Sequence, residues 1–208
     1  MSAHRESGWS RARDAAILVL ALVLVSGVWS CGWAGDVPPS GQRPQLVMDD
    51  SVADDFRVLA MEAWDQFLAA FEARTNCFSD VRLHALHTLD GRAGYDPDSA
   101  TVTVQVPGTP AMLQSALIHE WAHHIEFQCS GHKDLRRTFL EAQGLPPDTQ
   151  WRMDDVLADM PDGKKVDMPS EQYAEAAIVV VLGSRQIPNG VTVTEEMVQA
   201  VEEWAAGE

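Results

Sequence analysis

The chain has 208 residues, 46% of them hydrophobic and 22% charged, with a formal net charge of -16. That length and composition suffice for one globular domain with a sizeable core and little more. The negative charge argues against nucleic acid as a partner, because holding phosphates needs clustered Lys and Arg.

The first segment in chain order reads as an export signal. Residues 4–14, HRESGWSRARD, carry three arginines, and residues 15–28, AAILVLALVLVSGV, contain no charge at all. A basic region followed by an apolar stretch of this length is the pattern of a secreted chain. A spanning helix wants about 20 residues, so an uncleaved anchor is the alternative. Residues 28–32, VWSCG, resemble a bacterial lipobox: Val28 and Ser30 fit, while Trp29 is bulkier than the pattern favours. Cys31 is then either the lipid-bearing first residue of a mature, membrane-tethered protein or a plain thiol near a cleavage site. The expected location is extracytoplasmic in both cases. With Cys31 set aside, Cys77 and Cys129 remain, and in an oxidising compartment they are expected to pair.

This divides the chain into a signal at 1–31, a Gly-, Pro- and Ser-rich tether at 32–45, and a folded domain at 46–208. Residues 51–76 carry Phe56, Leu59, Ala60, Ala63, Phe67 and Phe71 at intervals of three and four, which predicts a helix with one apolar face. Ser51 and Asp54 suggest its cap. Alternation through Val81, Leu83, Ala85, His87 and Leu89 predicts a strand, and TVTVQV at 101–106 predicts a second. Between them DGRAGYDPDSA offers turn chemistry. Thr109 as cap and Pro110 at the first helical position start a helix that runs to about Cys129, with Gly131 as terminator. Further helices are expected at 133–143, at 170–182 with Ser170 as cap and Gly183 as stop, and at 194–205. The fold class is α+β, with a small antiparallel sheet followed by helices.

Within the helix from Thr109, His119, Glu120, Trp121, Ala122 and His123 spell H-E-x-x-H. At about 100° per residue, His119 and His123 lie only ~40° apart and one turn apart, so both imidazoles can reach one zinc ion. Glu120 sits at the rim of that face, within reach of a zinc-bound water whose pKa falls towards 7. Leu117, Ile118, Trp121 and Ile125 occupy the opposite side, where a core is expected. A zinc site for hydrolysis needs a third protein ligand. Glu126 and Cys129 stand where the metzincin extension has Gly and His, so that extension is absent. Downstream, Glu171 and Glu175 lie one turn apart on the 170–182 helix, on a face continued by Ile178 and Leu182. Carboxylates on a packed face need a reason, and a metal with its histidines supplies one.

At this point the chain, over residues 95–183, resembles the gluzincin metallopeptidases, a zincin group in which a Glu on a later helix completes the zinc site. The pattern EQYAE at 171–175 matches theirs. The resemblance implies Glu171 as the third zinc ligand, Glu175 as the acid orienting a ligated histidine, and TVTVQV as the strand edging the cleft. It also implies a minimal zincin-like domain. No substrate-binding motif is visible on that strand.

The other polar residues have plainer readings. His124 lies ~140° round from His119, which favours a structural role. His84, His87 and His132 have no partner spacing and read as surface or core histidines. Tyr95 and His132 are candidate oxyanion donors, Tyr173 projects ~200° from Glu171 and faces away, and Trp121 and Trp204 read as helix packing. The acidic run 154–167 reads as a solvated loop, with calcium capture as the alternative, although it lacks the alternation of an EF-hand loop.

The sequence therefore points to an exported, membrane-tethered zinc metallopeptidase acting on a peptide or protein, with His119, His123 and Glu171 on Zn2+ and Glu120 as general base. Two other readings stand beside it: a non-catalytic zinc-binding structural or interaction module of the same fold, and a helix pair that holds no metal.

Overall fold

The computed structural model describes residues 43–152 and 168–207. The segment expected to be an export signal, Cys31, most of the expected tether and the acidic run 154–167 lie outside the described residues. Among the described residues no helix is long and apolar enough to cross a membrane.

Four strands and five helices are described: β1 Leu46–Met48, α1 Asp54–Ala70, β2 Val81–Leu86, β3 Ala93–Asp96, β4 Thr101–Gln105, α2 Pro110–Gln128, α3 His132–Ala142, α4 Pro169–Leu182 and α5 Glu195–Ala206. The architecture is α+β, as the sequence implied, but the sheet is mixed and not antiparallel. Its order is β1-β2-β4-β3, with β1–β2 and β2–β4 parallel and β3–β4 antiparallel. The reason lies in DGRAGYDPDSA, which is more than a turn. It contains β3, so the chain reverses twice between β2 and β4 and arrives running parallel to β2. Consequently β4 is an interior strand and β3 is the edge.

Alternation is clean in both central strands. Val81, Leu83 and Ala85 of β2 and Val102 and Val104 of β4 are buried on the face that meets the helices. Against that face α2 packs on β3 and β4, and it is enclosed by α1 and α4. The centre is aromatic: Trp121 of α2 lies 4.9 Å from Trp64 and 5.5 Å from Phe67, both on α1, with Phe78 beside them. Leu117, Ile118, Trp121 and Ile125 are fully buried, as their spacing predicted. Losing a buried tryptophan of this kind costs about 3–5 kcal/mol.

Helix ends follow the sequence in part. The Thr109 side chain accepts from the Met112 amide and Pro110 opens α2. At α1, however, Ala53 is the N-cap and no side chain caps it. Ser51 is engaged elsewhere, bonding Asp49 and accepting the Ala85 amide at 2.8 Å. For α4 the cap is Met168, with Pro169 rather than Ser170 at the boundary, and Gly183 stops the helix at φ 73° in the left-handed region that favours glycine. Cys129, not Gly131, caps the end of α2.

Cys77 and Cys129 form a disulfide, with Cα atoms 4.9 Å apart and 52 residues of separation. It ties the end of α2 to the chain just past α1. In the chain-entropy picture a loop of that size contributes ~4 kcal/mol. The double variant Cys77→Ser/Cys129→Ser is expected to lose ~2–4 kcal/mol in urea unfolding, while the wild type loses a similar amount on reduction.

His132 resolves as a core residue. It is 1% exposed and packs against Tyr173, Trp151 and Trp204, at 4.6, 5.5 and 5.6 Å. Burial pushes its pKa down to about 3, although the Glu126 charge opposes this. Between that value and an unfolded pKa near 6.5, the unfolded chain binds the proton and the folded one does not. Stability is therefore full above about pH 6.5 and falls as the pH drops towards 3, by ~1.4 kcal/mol per pH unit for one proton. Urea titrations across that window should show a shallower fall for His132→Phe, which keeps an aromatic ring in the cage and removes the titration.

Candidate metal centre

With its aromatic side held by α1, α2 has one orientation, and His119 and His123 face the other way, into a cleft. Facing them is α4. Its small buried residues Ala174 and Ala177, both fully enclosed, let the two helices approach closely. Glu171 sits in the first turn of α4, where the helix dipole favours a carboxylate.

Three side chains converge. The Nε2 atoms of His119 and His123 are 3.2 Å apart. Glu171 places Oε2 3.3 Å from His119 Nε2 and Oε1 3.5 Å from His123 Nε2. His119, His123 and Glu171 thus form a group whose donor atoms lie within 4.8 Å of one another and could hold a metal ion.

The far side of each imidazole decides what these atoms are. His119 Nδ1 lies 3.1 Å from Glu175 Oε1, and His123 Nδ1 lies 3.0 Å from Glu126 Oε2. An ionised carboxylate can only accept, so His119 Nδ1 carries the hydrogen and donates it. His123 Nδ1 does the same to Glu126, because Arg152 Nη2, 3.1 Å from that nitrogen, donates to Glu126 at the shorter 2.7 Å. Both Nε2 atoms then face each other and the Glu171 carboxylate. Four ligand-type atoms meet at one point, and the group is satisfied either by protons on the imidazoles or by a cation. About a tetrahedral ion with metal–nitrogen bonds of ~2.0–2.1 Å, neighbouring ligand atoms fall ~3.3 Å apart. The observed separations fit.

Charge around the site points the same way. Burial disfavours the charged form of His119, but hydrogen bonds with Glu171 and Glu175 outweigh it and raise its pKa well above the usual histidine value. His123 is raised likewise, burial being overcome by Glu126 and Glu171. Burial would raise the Glu171 carboxyl, yet its two histidine partners hold it far below the usual carboxylate range. The pocket favours positive charge at its centre.

Glu126 was visible in the sequence only as the residue that removes the metzincin extension. In the fold it is a buried hub. Its Oε2 also accepts from Arg152 Nη2 at 2.7 Å, and Oε1 accepts from the Trp151 indole at 2.8 Å, with Arg136 at 3.6 Å. Burial would raise its pKa, but His123 and Arg152 bring it down to about 2. Its position three residues past His123 put it on the same helix face, a signal that could have been read. Arg152 and Arg185 could not have been found, since neither has any fixed spacing to the motif.

The cleft has a volume of about 760 Å³, and Glu120, Tyr95, Met112, Arg152, Arg185 and Ile187 are among its lining residues. Glu120 lines it directly beside the histidines and is 8% exposed. The edging strand is β3, carrying Tyr95, and not TVTVQV. Tyr95 is a poor oxyanion donor. Its hydroxyl is 2.8 Å from His124 Nδ1, and His124 Nε2 is 2.9 Å from the Ser79 carbonyl. Nε2 must donate to that carbonyl, so Nδ1 accepts and the tyrosine proton is already engaged. Burial lowers the His124 pKa to about 4, which keeps it neutral and structural. Tyr173 faces away, fully buried, and His132 sits in the core.

Asp49, Ser51 and His84 also meet, but they do not make a nucleophile relay. Both Asp49 Oδ2 and Ser51 Oγ approach the same nitrogen, His84 Nδ1, at 2.6 and 3.1 Å. A serine nucleophile needs its base through the opposite ring nitrogen.

No protein-family model matches this chain, and no curated protein or solved structure matches it either.

Replacing His119 or His123 with Ala is expected to abolish metal binding. Glu126→Gln and Glu175→Gln are expected to weaken it by about 10–100-fold by freeing one imidazole to turn. Competition with a chromogenic chelator measures both effects.

Proposed function

We propose that this protein is an exported, membrane-tethered zinc metallopeptidase with a minimal zincin-like domain of the gluzincin type. The observation that carries the reading is the convergence of His119, His123 and Glu171 on one point with Glu120 on the adjoining cleft wall. Two imidazoles and one carboxylate leave a tetrahedral ion one open position, the arrangement of catalytic rather than structural zinc. Zinc held there supplies Lewis acidity, acidifying a water and polarising a carbonyl.

Every other role belongs to the chain. Glu175 and Glu126 hold the imidazoles in the tautomer that directs both Nε2 lone pairs inward. Glu120 accepts a proton from the attacking water and delivers it to the departing amine. The cleft wall formed by β3 and the turn after α4 receives the peptide or protein substrate. Proteins outside the cytoplasm are the expected targets, given the signal-like N-terminus and the disulfide. The engaged proton of Tyr95 is the observation that favours the second reading, a zinc-binding interaction module without turnover.

One comparison separates them. Glu120→Gln should retain its zinc while peptide hydrolysis falls by ~10²–10⁴-fold. Zinc bound equally by both proteins, with neither cleaving any member of a broad peptide library, would instead establish the module.

A further inference from the structure

Resting on the reading that this cleft takes peptides, we infer that it selects substrates bearing a carboxylate, with Arg185 as the anchor. Gly183 turns the chain out of α4, and Arg185 comes back over the cleft two residues later. Its side chain is 25% exposed and held through one nitrogen only. Nη1 donates to Asn189 Oδ1 and to the Val191 carbonyl, both at 2.8 Å, and lies 3.5 Å from Glu175 Oε2. Among the described residues, Nε and Nη2 make no hydrogen bond.

Those two nitrogens form one edge of the guanidinium, the edge that binds a carboxylate through two parallel N–H···O bonds. The group is therefore fixed in place before any ligand arrives, with its binding edge left over. Glu175 meets only Nη1, at 3.5 Å through Oε2, and leaves the Nε–Nη2 edge unpaired. Ile178 and Ile187 line the same cleft and give an apolar path to the charge, and Arg92 adds a second guanidinium on the rim.

The rest of the molecule makes this local cation informative. At a net charge of -16 the protein repels anions at long range, so recognition of an acidic group must act at contact distance. A neutral peptide could offer the Nε–Nη2 edge only carbonyl oxygens, which lack the charge and the paired geometry of a carboxylate. The carboxylate could be a substrate's C-terminus or an acidic side chain, and the same guanidinium edge serves both.

Binding tests this independently of turnover. The whole exported protein carrying Glu120→Gln is loaded with zinc and titrated with dansyl-labelled octapeptide pools, mixed in sequence but free of acidic residues except as stated. The pools have a free or amidated C-terminus, and either Glu or Gln at internal positions. At least one carboxylate-bearing pool is expected to bind about 10–100-fold tighter than the amidated, Gln-containing pool, the range of a charge-assisted pair. Which pool gains tells a terminal from a side-chain carboxylate. Adding Arg185→Met should bring the ratio to within about twofold, with zinc content and Tm measured alongside because Arg185 also contacts Glu175. Should that variant lose zinc or fold poorly, Arg185→Lys, which keeps the charge without the two-donor edge, should still lower the ratio. Equal binding of all four pools, or a ratio that survives both substitutions, overturns the assignment. Turnover is followed in parallel with Glu120 intact. Absence of all cleavage would defeat the peptidase reading, while the Arg185 assignment is still decided by the binding ratios.

Discussion

Two imidazole Nε2 atoms 3.2 Å apart, with a carboxylate beside them, are the constraint on which this structure turns. In a half-buried cleft each is denied part of its water, so the group needs positive charge, as protons or as a cation, to hold together. The arrangement persists because every atom behind it is also specified. Glu175 and Glu126 fix the ring hydrogens on the far nitrogens, and Arg185 and Arg152 in turn hold those carboxylates. Alternating charge of this kind is stable layer by layer: cations outside, carboxylates next, imidazoles inside, and a position for positive charge at the centre.

What holds the layers in register is apolar. Trp121 is only one residue from Glu120 and two from both histidines, yet it points into the ring cluster of Trp64, Phe67 and Phe78. Rotating α2 to release the histidines would pull that indole out of the core. The aromatic side thus sets the angle of the ligand side, and the Cys77–Cys129 link keeps the same helix from sliding at its end. On the other wall, small residues of α4 let it approach closely enough for a short glutamate to bridge both imidazoles.

The cleft differs in character from the molecule that carries it. The surface as a whole is acidic, while Arg92, Arg152 and Arg185 gather around the candidate metal position. Arg152 is consumed by Glu126 and by stacking over Phe127 at 4.1 Å, so it serves the architecture of the site. Arg185 retains an unused edge. Each arginine is held through a single nitrogen, Nη2 of Arg152 and Nη1 of Arg185, and they differ in what surrounds the remaining donors. Arg152 lies over Phe127 with its Nε buried, while Arg185 lines the cleft without such a cover among the described residues.

Short-range pattern was legible in the sequence. The 3.6-residue period placed the apolar side of α2 in the core and its histidines opposite, because helix geometry alone fixes which residues share a face. The α+β class, the Thr109 cap and the Gly183 stop followed from equally local rules, and the pairing of Cys77 with Cys129 from counting. Tertiary structure decided whatever depends on distant segments. Parallel against antiparallel pairing of β2 and β4 turned on one short strand within a stretch rich in turn residues. The same strand took the cleft edge from TVTVQV. Ser51 left the helix cap it was suited to because Asp49 and the Ala85 amide, brought near by the sheet, compete for its hydroxyl. Glu126 became the support of His123 only because Trp151 and Arg152 arrive from more than twenty residues away to stabilise a buried carboxylate. A sequence states which side chains can face one another along a helix; the energy that makes one of them a ligand, a support or an anchor is set by neighbours that only folding supplies.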